Sequence, residues 1–179
     1  TKTFTIRVNP TGQVNQPLNV TYCPGSRTVT YASINTGGTR TYSWTNDNTA
    51  IGLAANGTTP ATGLMTFTAT NSTTAPITAN IVVTPIYTNG GVSCSGPSKS
   101  FTITINPTGQ VNNPGNQVLC NNTAITAVTF GTNNTGGTTT YTWTNNNTSI
   151  GLAASSGGNP TGIPSFTATN NTSAPITAT

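Results

Sequence analysis

One carboxylate side chain, Asp47, three thiols, Cys23, Cys94 and Cys120, and no histidine make up the reactive inventory of a 179-residue chain. Hydrolysis between paired carboxylates needs two acids. Where the surroundings of Asp47 recur further along, the matching residue is Asn146. A serine or cysteine nucleophile needs a neighbouring base, usually histidine, and the sequence has none. Calcium sites draw on several carboxylates, and zinc sites on histidines or on cysteines at ligand spacing. The glycines of NTGG and GTNNTGG have neither the following lysine nor the helix pattern of a phosphate-cradling loop. These residues predict a chain with no catalytic residues, no metal ligands and no cofactor.

Aromatic rings are the other chemistry on offer. Tyr42 and Trp44 recur as Tyr141 and Trp143, and the phrase FTATN carries Phe67 and later Phe166. Exposed, such rings make platforms for sugars through their large apolar area. A Tyr and a Trp two residues apart on a strand face the same side, however, and a sandwich needs a large residue on its central inner face. All six aromatics are therefore expected in the core, and no ligand-binding residue is assigned.

A repeat positions them. SFTITINPTGQVNNP at 100–114 copies TFTIRVNPTGQVNQP at 3–17, and Cys120 follows Cys23 by 97 residues. The NTGG turn, TYSWTNDNTAIGLAA against TYTWTNNNTSIGLAA, FTATN and APITA then recur at an offset of 99. A unit of this length is too long for a solenoid repeat and matches one immunoglobulin-like sandwich of about 100 residues. In TFTIRVNP and SFTITINP the apolar residues alternate with polar ones up to a proline, as in a half-buried strand. Further strands are expected near 18–22, 27–33, 39–45, 64–70 and 77–87, with turns at 36–38, 56–57 and 89–91, giving about seven strands per unit. The predicted organisation is a closing strand of a preceding repeat at 1–9, a complete unit at 10–107, and a second unit at 108–179 that stops before its last strands. The fold class is all-β, as tandem immunoglobulin-like sandwiches, and the sequence reads as a window on a longer array.

Charge excludes other classes. Five basic residues and one acid give +4, with only 3% of residues charged. Lys2, Arg7, Arg27, Arg40 and Lys99 are scattered singly, whereas a nucleic-acid surface gathers its cations into a stripe. No apolar run exceeds three residues, as in IVV at 81–83, far short of the roughly 20 residues of a membrane helix. Neither nucleic acid nor membrane insertion is expected. Disorder pairs low hydrophobicity with high net charge, and here aromatic and β-branched residues recur beside turn residues instead.

Three cysteines leave one over. Pairing Cys23 with Cys94 inside the first unit closes a 71-residue loop, worth about 4 kcal/mol by chain entropy. Cys120 then forms half of a disulfide whose partner lies beyond residue 179. That pairing implies an oxidising compartment; the alternative is three reduced thiols.

The closing FTITINP, the cysteine soon after it at 23 and 120, the YSW and YTW strands, and the GVSCSGPSKSFTI hairpin around Cys94 resemble a known family. It is the PKD-like, immunoglobulin-type tandem repeats of giant secreted surface adhesins of Bacteroidota, the gliding and type IX-secreting bacteria. The resemblance covers the whole chain. Ordinary PKD domains follow their Trp with an acidic turn where this chain has TNDN and TNNN. The resemblance implies an extracellular protein of the bacterial cell surface, acting as adhesin, stalk or filament, with no catalytic residues to carry over. Its implied partners are neighbouring repeats, other copies in a filament, and an unidentified surface or polysaccharide ligand. An accessory carbohydrate-binding or spacer module of a secreted polysaccharide-degrading enzyme is the alternative.

Overall fold

The structure, a computed structural model, describes residues 1–156 and 161–179. It is almost entirely β and divides into two compact units, Thr1–Thr108 and Gly109–Thr179.

Unit 1 holds eight strands: β1 (Val20–Tyr22), β2 (Gly25–Thr30), β3 (Thr39–Asn46), β4 (Asn56–Thr59), β5 (Leu64–Ala69), β6 (Ile77–Asn89), β7 (Val92–Ser95) and β8 (Lys99–Ile105). One sheet runs β1-β8-β6-β3-β4 with β7 added to β6, and β2 pairs with β5 in a second sheet. The long strand β6 organises the first sheet. Ala79, Ile81, Val83 and Tyr87 alternate with more exposed residues and are buried on one face, the period of two that a half-buried strand requires. β3 lies along β6 from Asn46↔Ile81 to Thr39↔Thr88. On the other edge, β8 pairs β6 up to Val83↔Lys99 and β7 begins at Ile86↔Ser95, so Pro85 falls in the break between the two partners. A proline interrupts least where the ladder is already broken. The core between the sheets includes Tyr31, Tyr42, Trp44, Met65, Ile81, Val83, Phe101 and Ile103.

The expected strands at 39–45, 64–70 and 77–87 correspond to β3, β5 and β6, while β1 and β2 are shorter than or displaced from their expected ranges. The count of about seven becomes eight, because Asn56–Gly57, expected as a turn, opens β4. The glycine serves packing: Gly57 pairs with Trp44, and a Cβ there would lie 2.4 Å from the indole Cζ2. Residues 1–9 carry no strand, and Phe4, Ile6 and Val8 are exposed.

Unit 2 repeats turns of unit 1, and its described strands form two separate two-stranded pairings. Its strands are β9 (Ala124–Ile125), β10 (Val128–Thr129), β11 (Gly162–Ile163) and β12 (Phe166–Thr167), paired as β10 with β11 and β12 with β9. The counterpart of β3 carries one isolated bridge, Thr144–Ser155. In unit 1 the same residues are held from both sides, by β4 and β6.

Candidate functional site

The repeated Trp phrase is a strand followed by a clasped turn. Tyr42 and Trp44 are buried on β3, while Phe67 packs partly buried against the core. Tyr31 meets Tyr42 in a tilted pair at 5.6 Å between centroids and 59° between planes, and in unit 2 Phe130 meets Tyr141 likewise at 5.5 Å and 51°. Trp143, Tyr141 and Phe166 are half-buried. Tyr31 donates its hydroxyl to the Met65 sulfur at 3.0 Å, and burial pushes the phenol well above its ordinary range.

Amide side chains tie the loops. Asn46 Nδ2 donates to Leu53 O at 2.9 Å and to Ala54 O at 3.2 Å, while its Oδ1 accepts from Asn48 N at 3.0 Å. Asn145 makes the same three bonds to Leu152, Ala153 and Asn147. Asn48 and Asn147 then cap the 3-10 turns Thr49–Ile51 and Thr148–Ile150 by accepting from Ala50 N and Ser149 N. Gly52 and Gly151 end these turns at φ 88° and 93°, which a side chain would strain. Asn71 Nδ2 donates to Ala75 O and Ile105 O, both at 2.8 Å. Its nitrogen is therefore occupied inside the fold, although the triplet around it reads as a glycan acceptor. The signal for these clasps was in the sequence, as asparagines that recur in register in both units.

Asp47 belongs to this set. Its Oδ1 accepts from Asn80 N at 2.7 Å, and in unit 2 the Asn146 amide oxygen accepts from Thr179 N at 2.8 Å. A neutral amide fills the same place, so the position asks for an acceptor and not for a charge. Among the described residues no group of three or more His, Cys, Asp or Glu side chains gathers to hold a metal ion, and no helix is long and apolar enough to cross a membrane.

The expected Cys23–Cys94 disulfide is corrected by the register. Cys23, Cys94 and Cys120 are all free. Cys23 follows Tyr22, which pairs with Ile105, itself opposite Ile77 at the start of β6. Cys94 lies opposite Tyr87, ten residues further along β6. Ten residues of strand span about 33 Å, and a disulfide needs Cα atoms within about 7 Å. The two thiols stand at opposite ends of the unit. Sequence separation had suggested a loop closure, but a hairpin and a parallel edge strand send the two cysteines apart.

Unit 2 presents an open apolar groove of about 610 Å³ whose lining includes Val128, Trp143, Leu152, Ile163 and Phe166. In unit 1 the counterparts Val29, Trp44, Leu53 and Phe67 pack with Ile81, Val83, Phe101 and Ile103 from β6 and β8. Among the described residues of unit 2 no apolar side chain is fully buried. Of the rings expected as core in unit 2, Trp143 and Phe166 line this groove, whereas their counterparts Trp44 and Phe67 pack in the core of unit 1.

Neither descriptions of protein families nor curated proteins give a match to this chain.

Proposed function

We propose that this chain is part of a repetitive extracellular surface protein, an adhesin, stalk or filament built from tandem immunoglobulin-like β-sandwich units, and that it acts without catalysis. The observation that carries the proposal is the doubling of one structural device. The Trp phrase, its asparagine clasp and its glycine-ended turn recur in both units with the same hydrogen bonds. What is repeated is the means of holding a fold, while the single acid is replaced by an amide in the second copy. Units of this kind are useful by number, adding length or another weak contact at fixed spacing, and multivalency raises avidity by about 10² to 10⁴.

A sparsely charged, Thr- and Asn-rich surface and the resemblance to PKD-like repeats of gliding-bacterial adhesins support an extracellular, cell-surface location. Free cysteines within the unit remove the disulfide from that argument. The test is labelling of intact source cells with antibody raised against the chain. Surface label that protease treatment of whole cells abolishes is expected; label seen only after lysis would overturn the reading.

A further inference from the structure

We propose that unit 1 carries a subsite for an acidic sugar, a uronic acid residue of a polysaccharide, in a cleft built around the repeated phrase TGQVN. Thr11, Gln13, Asn15, Ile34, Pro97 and Lys99 line a cleft of about 260 Å³. That is slightly below the roughly 300–1,000 Å³ of pockets that take drug-sized ligands, and it suits one sugar ring.

The backbone of the phrase is held from beneath. Gly12 and Val14 are buried while Thr11, Gln13 and Asn15 are exposed, so the three polar residues share the outward side. Asn35, itself buried, accepts from Gln13 N at 2.7 Å and donates to Thr11 O at 3.1 Å. Gly12 N donates to Cys94 O, and Asn15 N to Ala32 O. A Cβ on Gly96 would run into Gly12 O, and the contact of these two glycines lets Pro97 lie alongside the phrase. Asn134 repeats the clamp in unit 2 by accepting from Gln110 N at 2.9 Å.

The outward side chains take no part in that clamp. Elsewhere the fold spends its amides on loops, as Asn46, Asn48 and Asn71 do. Among the described residues the side chains of Gln13, Asn15 and Lys99 make no hydrogen bond or ion pair within the chain. Asp47, the one carboxylate side chain, is already engaged by Asn80 N, so the charge of Lys99 is uncompensated. The fold does not need these particular groups at 13 and 15, yet both recur as Gln110 and Asn112, again exposed. The apolar wall belongs to unit 1 alone: Asn133 replaces Ile34 and accepts from Asn112 Nδ2 at 3.4 Å.

This set of groups selects the ligand. Two amides donate to and accept from neighbouring ring hydroxyls, and Ile34, 69% exposed, with Pro97 gives the C–H face of a ring an apolar contact. The ammonium of Lys99 is a compact charge with three donors, suited to a carboxylate. A neutral sugar leaves that charge unanswered. An acidic peptide brings the carboxylate without the ring of hydroxyls.

The subsite adds a ligand class to the adhesin reading and is tested apart from it, since cell labelling locates the protein and titration probes the cleft. Calorimetric titration of the chain with polygalacturonate should show binding that weakens as salt rises, and the methyl-esterified polymer and polyglutamate should bind far less. Lys99→Gln should weaken binding by about tenfold or more, and Gln13→Ala or Asn15→Ala by about threefold to tenfold. Each of these side chains is exposed, so the fold is kept. Arg27→Gln, which removes the same charge beside Cys23 at the opposite end of the unit, should leave the affinity unchanged. Amide shift changes on adding trigalacturonate should centre on residues 11–15, 34 and 97–99. No binding of polygalacturonate, equal binding of polyglutamate or of the esterified polymer, equal losses in Lys99→Gln and Arg27→Gln, or shift changes centred elsewhere would each overturn the proposal.

Discussion

Asp47 and Asn146 do one task with and without a charge, and that equivalence sets expectations for single substitutions. Asp47→Asn should change stability by less than about 0.5 kcal/mol in denaturant melts, as for an ordinary surface change. One residue earlier the outcome differs. Asn46→Ala removes a buried amide that satisfies Leu53 O, Ala54 O and Asn48 N, and it should cost about 2–3 kcal/mol because those groups lose their partners. Trp44→Ala, which empties the space between β3 and Gly57, should cost about 3–5 kcal/mol by the same melts. Tyr31 gives a pH dependence whose sign is fixed. Burial raises its folded value above the ordinary 10.0, so above pH 10 the unfolded chain loses that proton while the folded one keeps it. Stability is therefore unaffected by this group below pH 10 and falls as pH rises beyond it. Tyr31→Phe, the residue at the matching place in unit 2, should flatten that alkaline decline in melts taken at successive pH values.

At the level of strands, the apolar alternation of SFTITI and of residues 77–87 made β8 and β6 legible, because each buries one face along its length. β4 was not legible: NGTT reads as a turn, and only the presence of Trp44 across the ladder explains its glycine. Periodicity tells which face wants burial and says nothing of whether a neighbour supplies it, and Phe4, Ile6 and Val8 alternate like a buried strand while standing exposed. The same limit misled the cysteine pairing. Spacing along the chain counts residues in a loop, whereas the register of β6 with β7 and β8 decides which end of the unit each thiol occupies. The separation of Cys23 and Cys94 predicts that alkylation of the monomeric chain without reductant modifies all three cysteines, read by intact mass.

For the whole chain, the two units differ in how much apolar surface they remove from water. Unit 1 closes its core under β6 and β8, and unit 2 leaves Trp143 and Phe166 on a groove. Monomeric chain should therefore melt in two calorimetric transitions, unit 2 first, and Trp143→Ala should shift only the lower one. In unit 1, the parallel pairing of β1 with β8 has a mechanical meaning. The chain comes in beside Cys94 and goes out beside Tyr22, at the far end of the sheet. A pull on the two ends therefore drags β1 and β8 past each other along their length. The bonds of Val20–Tyr22 with Ile103–Ile105, and that of Asn106 with Tyr22, are sheared together and not peeled one after another. Under tension the unit should hold until that whole patch gives way at once, the behaviour of a link that transmits force without lengthening.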